Sequence, residues 1–300
     1  MCGTDITAVT IEATVGAVER LPPAQHPPVP RPLYFSHDFS RAGLMLALVR
    51  EISPDLVRCE LTFLERAAID VARARDQHHA YVATLSALGC SLEWLPPLPQ
   101  HPDGVFVEDA AVVLPEVAVV TRPGAASRRG ETASVAAALE RYRPLTRITE
   151  PGCLEGGDVL RIGRTLYVGA SGRTNAEGIG QLGMALAAYG YRVEALSMRG
   201  CLHLKSACSF IPPDLLLVNP AWVDAGRLAA ARVIAVAESE PYAANTLTVG
   251  ATTLVSAAYP RTAERLVAAG VAVRVVDASE LHKAESALTC MSLLLAPAAA

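Results

Sequence analysis

The residues best able to do chemistry stand at the starts of apolar hairpins. "DGVFVEDAAVV" puts Asp103, Glu108 and Asp109 at the head of one strand. "LEGGDVLRIG" puts Glu155 and Asp158 at the head of another, beside Gly156 and Gly157, which permit close backbone approach. "GCLHLKSACSF" carries His203 between Cys201 and Cys208, and "ALTCMSLLL" sets Cys290 in an apolar tail segment. Carboxylates taken out of water are costly unless paired. Acids, an imidazole and a thiol aimed at one point would therefore make a centre suited to a cation.

Taken singly, each feature has a plainer meaning. Glu108 and Asp109 alone read as a solvated strand end, and Gly156-Gly157 as a turn. His203 alone reads as a satisfied structural histidine, and Cys290 between Leu288 and Met291 as an inert buried thiol. His78 and His79, on an amphipathic helix over 70–88, read as a surface pair. "GIGQLG" (178–183) matches a dinucleotide-binding fingerprint, but "TLYVG" ends nine residues before it. That fingerprint needs its first glycine directly after a strand, so these glycines are expected inside a helix capped by Asn175 or Thr174.

The elements that must position these groups recur along the chain. "VFVEDAAVVLPEVAVVTRP" (105–123), "DVLRIGRTLYVG" (158–169), "LKSACSFIPPDLLLVNP" (204–220) and "NTLTVGATTLVSAA" (245–258) each read as a hairpin. Each is followed by helix-like sequence and a further strand. The first strand, "MLALVRE" from Met45, and the last segment, "ALTCMSLLL", lack partners of their own. Their pairing is expected to close a ring of five hairpin–helix–strand units, with landmark spacings of about 40–49 residues, and to remove exposed strand edges.

Bulk properties narrow the function classes. The chain has 300 residues, of which 51% are hydrophobic and 19% charged, enough for a substantial core. A net charge of −4 argues against nucleic-acid binding. No apolar run is long enough for a membrane span, and the N-terminus lacks a signal-peptide pattern. Seven cysteines, scattered and without a C-x-x-C pair, argue against a disulfide framework or structural zinc site and for a reducing cytoplasm. Residues 1–44, with the proline-dense "LPPAQHPPVPRP", are expected to form a loose extension before a single domain over 45–300, and Met45 is a candidate natural start.

Six blocks, "DGVFVEDAAVV", "TRPGAASRRGE", "LEGGDVLRIG", "SGRTN", "CLHLKS" and "ALTCMSLLL", resemble in this order the dimethylarginine dimethylaminohydrolases. "IDVARARDQHHAYVATLSALGC" is similar to that family's first helix. The resemblance spans 45–295 and implies a five-bladed pseudo-symmetric α/β-propeller (pentein), its ring closed by the first and last strands. It further implies Cys290 as nucleophile, His203 as general acid/base and Glu155 as the carboxylate orienting it. Glu108 and Asp109 would grip a guanidinium and Asp103 an α-amino group. Arg128 and Arg173 would bind an α-carboxylate, and Leu61 would offer a backbone contact from a mobile lid.

The implied reaction is hydrolysis of asymmetric dimethylarginine or monomethylarginine to citrulline, through a covalent thiouronium on Cys290. No metal or organic cofactor is implied; zinc on Cys290 and His203 would inhibit. The implied partner is a methylated arginine, not nucleic acid or membrane, and a homodimer is compatible with an open propeller edge. Two alternatives stand beside this reading. One is an arginine deiminase releasing ammonia, against which "HLKS" departs from the acidic histidine motif of that group. The other is a non-catalytic methylarginine-binding pentein.

Overall fold

The computed structural model describes residues 45–296, so the expectation for residues 1–44 lies outside the described residues. Strand β1 (Leu46–Val49) is followed by the irregular stretch 59–70, helix α1 (Val71–Ala87) and β2 (Ser91–Trp94). Asp70 caps α1 by accepting the Arg73 N–H at 3.0 Å, and Gly89 (φ 91°) turns the chain out of it. The next two units are β3 (Ala111–Val113), β4 (Ala118–Val120), α2 (Thr132–Leu139) and β5 (Leu145–Arg147), then β6 (Val159–Ile162), β7 (Thr165–Ala170), α3 (Ala176–Ala187) and β8 (Arg192–Ser197). In each, the first two strands are antiparallel and the third, returning through a helix, is parallel.

The third hairpin departs from expectation at both ends. Leu204–Ala207 form a single helical turn, α4, and the strand β9 begins only at Cys208 (Cys208–Ile211). Between β10 (Leu215–Val218) and β11 (Arg232–Ala235) there is no α-helix, only a 3-10 turn at Ala225–Arg227. Pro220 and Gly226 break the run, and the Asp224 side chain accepts the Gly226 N–H. The fourth unit is β12 (Leu247–Val249), β13 (Thr252–Ser256), α5 (Pro260–Ala268) and β14 (Ala272–Val276). A turn, α6 (Ser279–His282), then leads to β15 (Leu293–Leu295).

The two unpartnered segments do pair, with Leu46 opposite Leu295 and Leu48 opposite Leu293, antiparallel. The expected ring closure is not what this pairing achieves. It completes one blade, β15-β1-β2, with β1 as the central strand in the place that β4, β7, β10 and β13 take in theirs. The result is five separate three-stranded sheets, a propeller-like pseudo-symmetric set that is not closed into a ring. Between blades there are only isolated bridges, Arg122–Leu154 and Met198–Val223, among the described residues. Each blade therefore keeps both of its edges, and the expected loss of exposed edges fails for the same reason. The blades are held by apolar clusters between them instead. One of these joins Ala74, Tyr81 and Leu85 of α1 to Leu56, Leu281, Leu288 and Met291.

Gly178, Gly180 and Gly183 lie inside α3, capped by Asn175, which accepts the Gly178 N–H at 2.9 Å. A Cβ on Gly178 would sit 2.0 Å from the Cys153 carbonyl oxygen, so this glycine serves packing. The surface-pair reading of the two histidines is wrong for His78, which is fully buried against Tyr81 and Trp94, while His79 remains half-exposed beside Glu51.

Candidate active site

The starts of β3, β6 and β9 and the approach to β15 bring the chemically capable residues together. The turn Val107–Ala110 precedes β3 and buries Glu108 and Asp109. The turn Gly156–Asp158 precedes β6, and a Cβ on Gly157 would lie 2.7 Å from His203 Nδ1 and 2.8 Å from Asp109 Oδ1. On Gly156 it would lie 2.0 Å from the Glu108 carbonyl oxygen. The two glycines are what let these acids reach the histidine. Asp158 fixes the histidine segment by accepting the Leu204 N–H at 3.0 Å, while Ser171 donates to its other oxygen at 2.6 Å.

His203 and Cys290, eighty-seven positions apart, line one small cavity of about 20 Å³. Asp103, Asp109, Arg128 and Arg173 line it too. Glu155 and Glu108 stand just behind this lining. Glu155 Oε2 is 2.7 Å from His203 Nε2, which leaves Nδ1 facing Asp109 Oδ1 at 3.9 Å. Glu108 accepts from Lys205 Nζ at 2.6 Å and Thr289 Oγ1 at 2.5 Å, and its N–H donates to the Cys290 carbonyl at 3.2 Å. Leu61 is not part of the lining; it packs half-buried against the apolar cluster of α1, and its neighbour Glu60 reaches the cavity instead.

Burial and neighbouring charge together set the protonation states. Burial opposes an imidazolium at His203, but Asp109, Asp158 and Glu155 outweigh it and raise the ring to about 9. Burial likewise opposes the Asp109 carboxylate, and His203 and Arg128 outweigh it, bringing that group to about 2. At Cys290 burial, with Glu108 and Asp109 adding to it, outweighs the hydrogen bonds from Ala287 and Ser286 and pushes the thiol up to about 12. Asp103 is raised by burial to about 6, with Arg128 and the Glu60 N–H pulling the other way. The resting site therefore holds a protonated thiol, an imidazolium and several carboxylates.

Arg128 is the residue whose surroundings differ most from expectation. It is 4% exposed and spans Asp109 (2.7 Å) and Glu131 (2.9 and 3.3 Å), with a further contact to the Phe106 carbonyl. Arg173 is the more accessible of the two arginines, with Nη1 3.5 Å from Glu155 Oε1 and Nη2 donating to Thr62 Oγ1 at 3.2 Å. Sequence reasoning missed Glu131, though its spacing of three from Arg128 was a readable signal. It also missed Glu285, for which "KAESA" offers none. Asp109, Glu155 and His203 each place one atom within 4.8 Å of the others, as do Glu51, His78 and His79, a spacing that a metal ion could use. In the first trio the oxygens are already bonded to Arg128, the Gly157 N–H and His203.

Five α/β blades around a cavity that joins a cysteine, a histidine and carboxylates define the class of guanidino-group-modifying penteins. No family model matches the chain. It is 43% identical over 250 residues to the N(G),N(G)-dimethylarginine dimethylaminohydrolase of Streptomyces coelicolor, covering 83% of this chain and 96% of that one. The protein of the same name from Pseudomonas aeruginosa is 37% identical over 226 residues, with 75% and 89% covered. A crystal structure of the Pseudomonas aeruginosa protein, a mutant complexed with citrulline, aligns with a TM-score of 0.79 at 34% identity, covering 84% of this chain and 99% of that one. The chain belongs to the dimethylarginine dimethylaminohydrolase family.

Proposed function

We propose that this chain hydrolyses asymmetric Nω,Nω-dimethyl-L-arginine, and Nω-methyl-L-arginine, to L-citrulline and dimethylamine or methylamine. The observation that carries the reading is a thiol and an imidazole lining one cavity with Asp109 between carboxylates and arginines. A guanidinium carbon is a poor electrophile, so a sulfur nucleophile suits it better than a hydroxyl. The Cys290 thiol is held at about 12 by burial and two carboxylates. A guanidinium placed against Glu108 and Asp109 neutralises the charge that keeps the proton on sulfur, so the thiol loses that proton to solvent as substrate binds.

The thiolate then attacks the guanidinium carbon. His203, an imidazolium at neutral pH, gives its Nδ1 proton to the departing amine as the C–N bond breaks. A thiouronium on Cys290 remains. The neutral ring next takes a proton from water, whose oxygen adds to the carbon; as the C–S bond breaks the adduct's O–H proton passes to sulfur, leaving citrulline, the Cys290 thiol and the His203 imidazolium. Glu155 orients the ring through Nε2. Asp103 takes the α-ammonium and Arg173 with Arg128 the α-carboxylate, and the Leu61 backbone, outside the lining as it stands, contacts the bound substrate only after its segment moves. Because Arg128 is already spanned by two acids, Arg173 carries the larger share of carboxylate binding.

The setting belongs to the same proposal. Six cysteines, Cys59, Cys90, Cys153, Cys201, Cys208 and Cys290, are free, in keeping with a reducing cytoplasm. No helix among the described residues is long and apolar enough to cross a membrane. A homodimer through an outer blade edge fits the exposure of Val275 on β14, 56%, at the end of its sheet. The deciding experiment compares citrulline release from asymmetric dimethylarginine and from arginine, with Cys290→Ser as control. Turnover of the methylated substrate that is lost in the variant is expected. Strong preference for arginine would point to a deiminase, and tight binding without turnover to a non-catalytic binder.

A further inference from the structure

The irregular stretch that follows the 3-10 turn Leu56–Arg58 roofs two adjoining spaces, Glu60 lining the cavity at Cys290 and Phe63 and Leu64 the chamber beside it, and Glu285 holds this roof down. The Glu285 carboxylate accepts the backbone N–H groups of three consecutive residues: Thr62 at 2.9 Å, Phe63 and Leu64. Three successive N–H groups converging on one anion form a concave anion site, here filled by the protein's own side chain. Glu285 comes from the segment between α6 and Cys290 and lines the cavity at Cys290. It also lines an adjoining chamber of about 170 Å³, bordered by Phe63, Tyr242 and Tyr259. A single residue thus touches the roof, the reactive cavity and the space beside it.

Two further observations mark the position. Glu285 is the only non-glycine residue among the described ones with positive φ, 53°. A bulky residue is rarely found there, and such backbone cost persists where the surroundings demand it. The roof itself has little else to hold it. Residues 62, 63 and 65–68 are exposed and the stretch 65–70 has no regular structure. Leu61 and Leu64 are half-buried and Ile69 is buried, and the other ties are polar: Glu60 N–H to Asp103, Ser127 to Glu60, Arg173 to Thr62, Arg66 to the Val57 and Cys59 carbonyls, and Lys283 to the Ala68 carbonyl. A segment with few buried apolar contacts opens at low cost, and its closure depends on such bonds.

Size makes the opening necessary. Ligand pockets usually offer roughly 300–1,000 Å³, and the space at Cys290 is about 20 Å³. A substrate of arginine size does not fit this space as it stands, and lifting the stretch that carries Glu60, the loosest part of its wall, would separate Thr62, Phe63 and Leu64 from Glu285. We propose that Glu285 is a positioning residue: its carboxylate latches the 61–64 segment shut over bound substrate, and breaking and remaking those three bonds governs substrate access and product release. This rests on the hydrolase reading above for the identity of the substrate, but the latch itself is measurable without turnover.

The test uses the full chain with Glu285→Gly, Glu285→Ala and Glu285→Gln. Glycine adopts the positive φ freely, so Glu285→Gly removes the carboxylate without straining the fold. Two readouts are combined. Limited digestion with trypsin, followed by mass spectrometry, reports cleavage after Arg66, which lies in the exposed stretch. Steady-state citrulline release from asymmetric dimethylarginine gives KM and kcat separately. Glu285→Gly and Glu285→Ala are expected to raise Arg66 cleavage about tenfold or more, the order expected for losing charge-assisted bonds. KM should rise by a similar factor while kcat changes less than about threefold. Glu285→Gln keeps an acceptor oxygen and should fall between. Unchanged Arg66 cleavage overturns the latch, and so does a raised KM without faster cleavage, which would mean that Glu285 meets the substrate directly. If the wild type releases no citrulline, the hydrolase reading fails while the cleavage arm still decides the latch.

Discussion

His203 and His78 are buried to a similar degree, at 5% and 0% exposure, yet their surroundings drive them to opposite charge states. Around His203 lie Asp109, Asp158 and Glu155, and the ring is raised to about 9. Around His78 lie Tyr81, Trp94 and His79; neither ring nitrogen has a hydrogen-bond partner, and burial lowers the ring to about 3. Both sit in the same fold, in sequence blocks that match the same family. Burial alone makes a histidine neutral and inert, while burial among carboxylates makes it a stored proton donor. The difference between a core residue and a reactive one lies in the partners that the turns before β3 and β6 deliver.

The comparison breaks most visibly on removal of each ring. His203→Ala is expected to lower citrulline production by about 10²–10⁴-fold, the usual reach of a general acid/base. His78→Leu should leave it within about threefold. Because His78 has no polar partner to lose, its replacement by an apolar side chain of similar size should shift stability by less than ~1.5 kcal/mol in thermal melts. A large activity loss in His78→Leu, with the fold intact, would erase the distinction.

Arg128 bears on the charge of His203 through Asp109. It supplies the positive charge that lets Asp109 stay ionised beside His203. Arg128→Ala leaves buried Glu131 without its paired cation and Asp109 with His203 alone, which is expected to cost ~3–5 kcal/mol of unfolding free energy in denaturant titrations. Arg173→Ala, at the cavity wall, should instead act mainly on KM and spare stability. If both variants lower KM-type binding alone, the structural part assigned to Arg128 is wrong.

The smallest effect is in the pH dependence of stability, where the two histidines act with opposite sign in separate windows. His203, raised above its ordinary value near 6.5, contributes stability that is fully present below that value and is lost as pH climbs toward about 9. His78, lowered, does the reverse: stability falls as pH drops from about 6.5 toward 3, because the unfolded chain binds a proton that the folded one refuses. Melting temperatures of His203→Ala should lose the first slope and those of His78→Leu the second. Equal slopes in wild type and variants would show that neighbouring groups, not these rings, carry the dependence.

Much of this was legible before the structure. The hairpin units, α1, the capped α3 and the pairing of the two chain ends all follow from hydrophobic period and turn chemistry, which are local. Gly156-Gly157 signalled close approach, and the approach is there. Local pattern does not say what a pairing accomplishes in space. The contact of Leu46 with Leu295 was foreseeable, but whether it closes a ring or completes a blade depends on which strand becomes central. The missing helix before β11 and the burial of His78 were misread because short apolar runs and a helix face next to Trp94 look alike from sequence.

Residue types and their order by themselves determined the set of candidate reacting groups, the five repeating units and the kinship to enzymes acting on guanidines, because motif spacing and periodicity are properties of the chain. Only the tertiary structure decided that Arg128 is sandwiched by two acids, that Glu285 reaches back to the 62–64 backbone, and that His203 is charged while His78 is not. Those outcomes depend on distances between residues up to more than two hundred positions apart, and electrostatic and hydrogen-bond energies are set by distance and burial in space, not by separation along the chain.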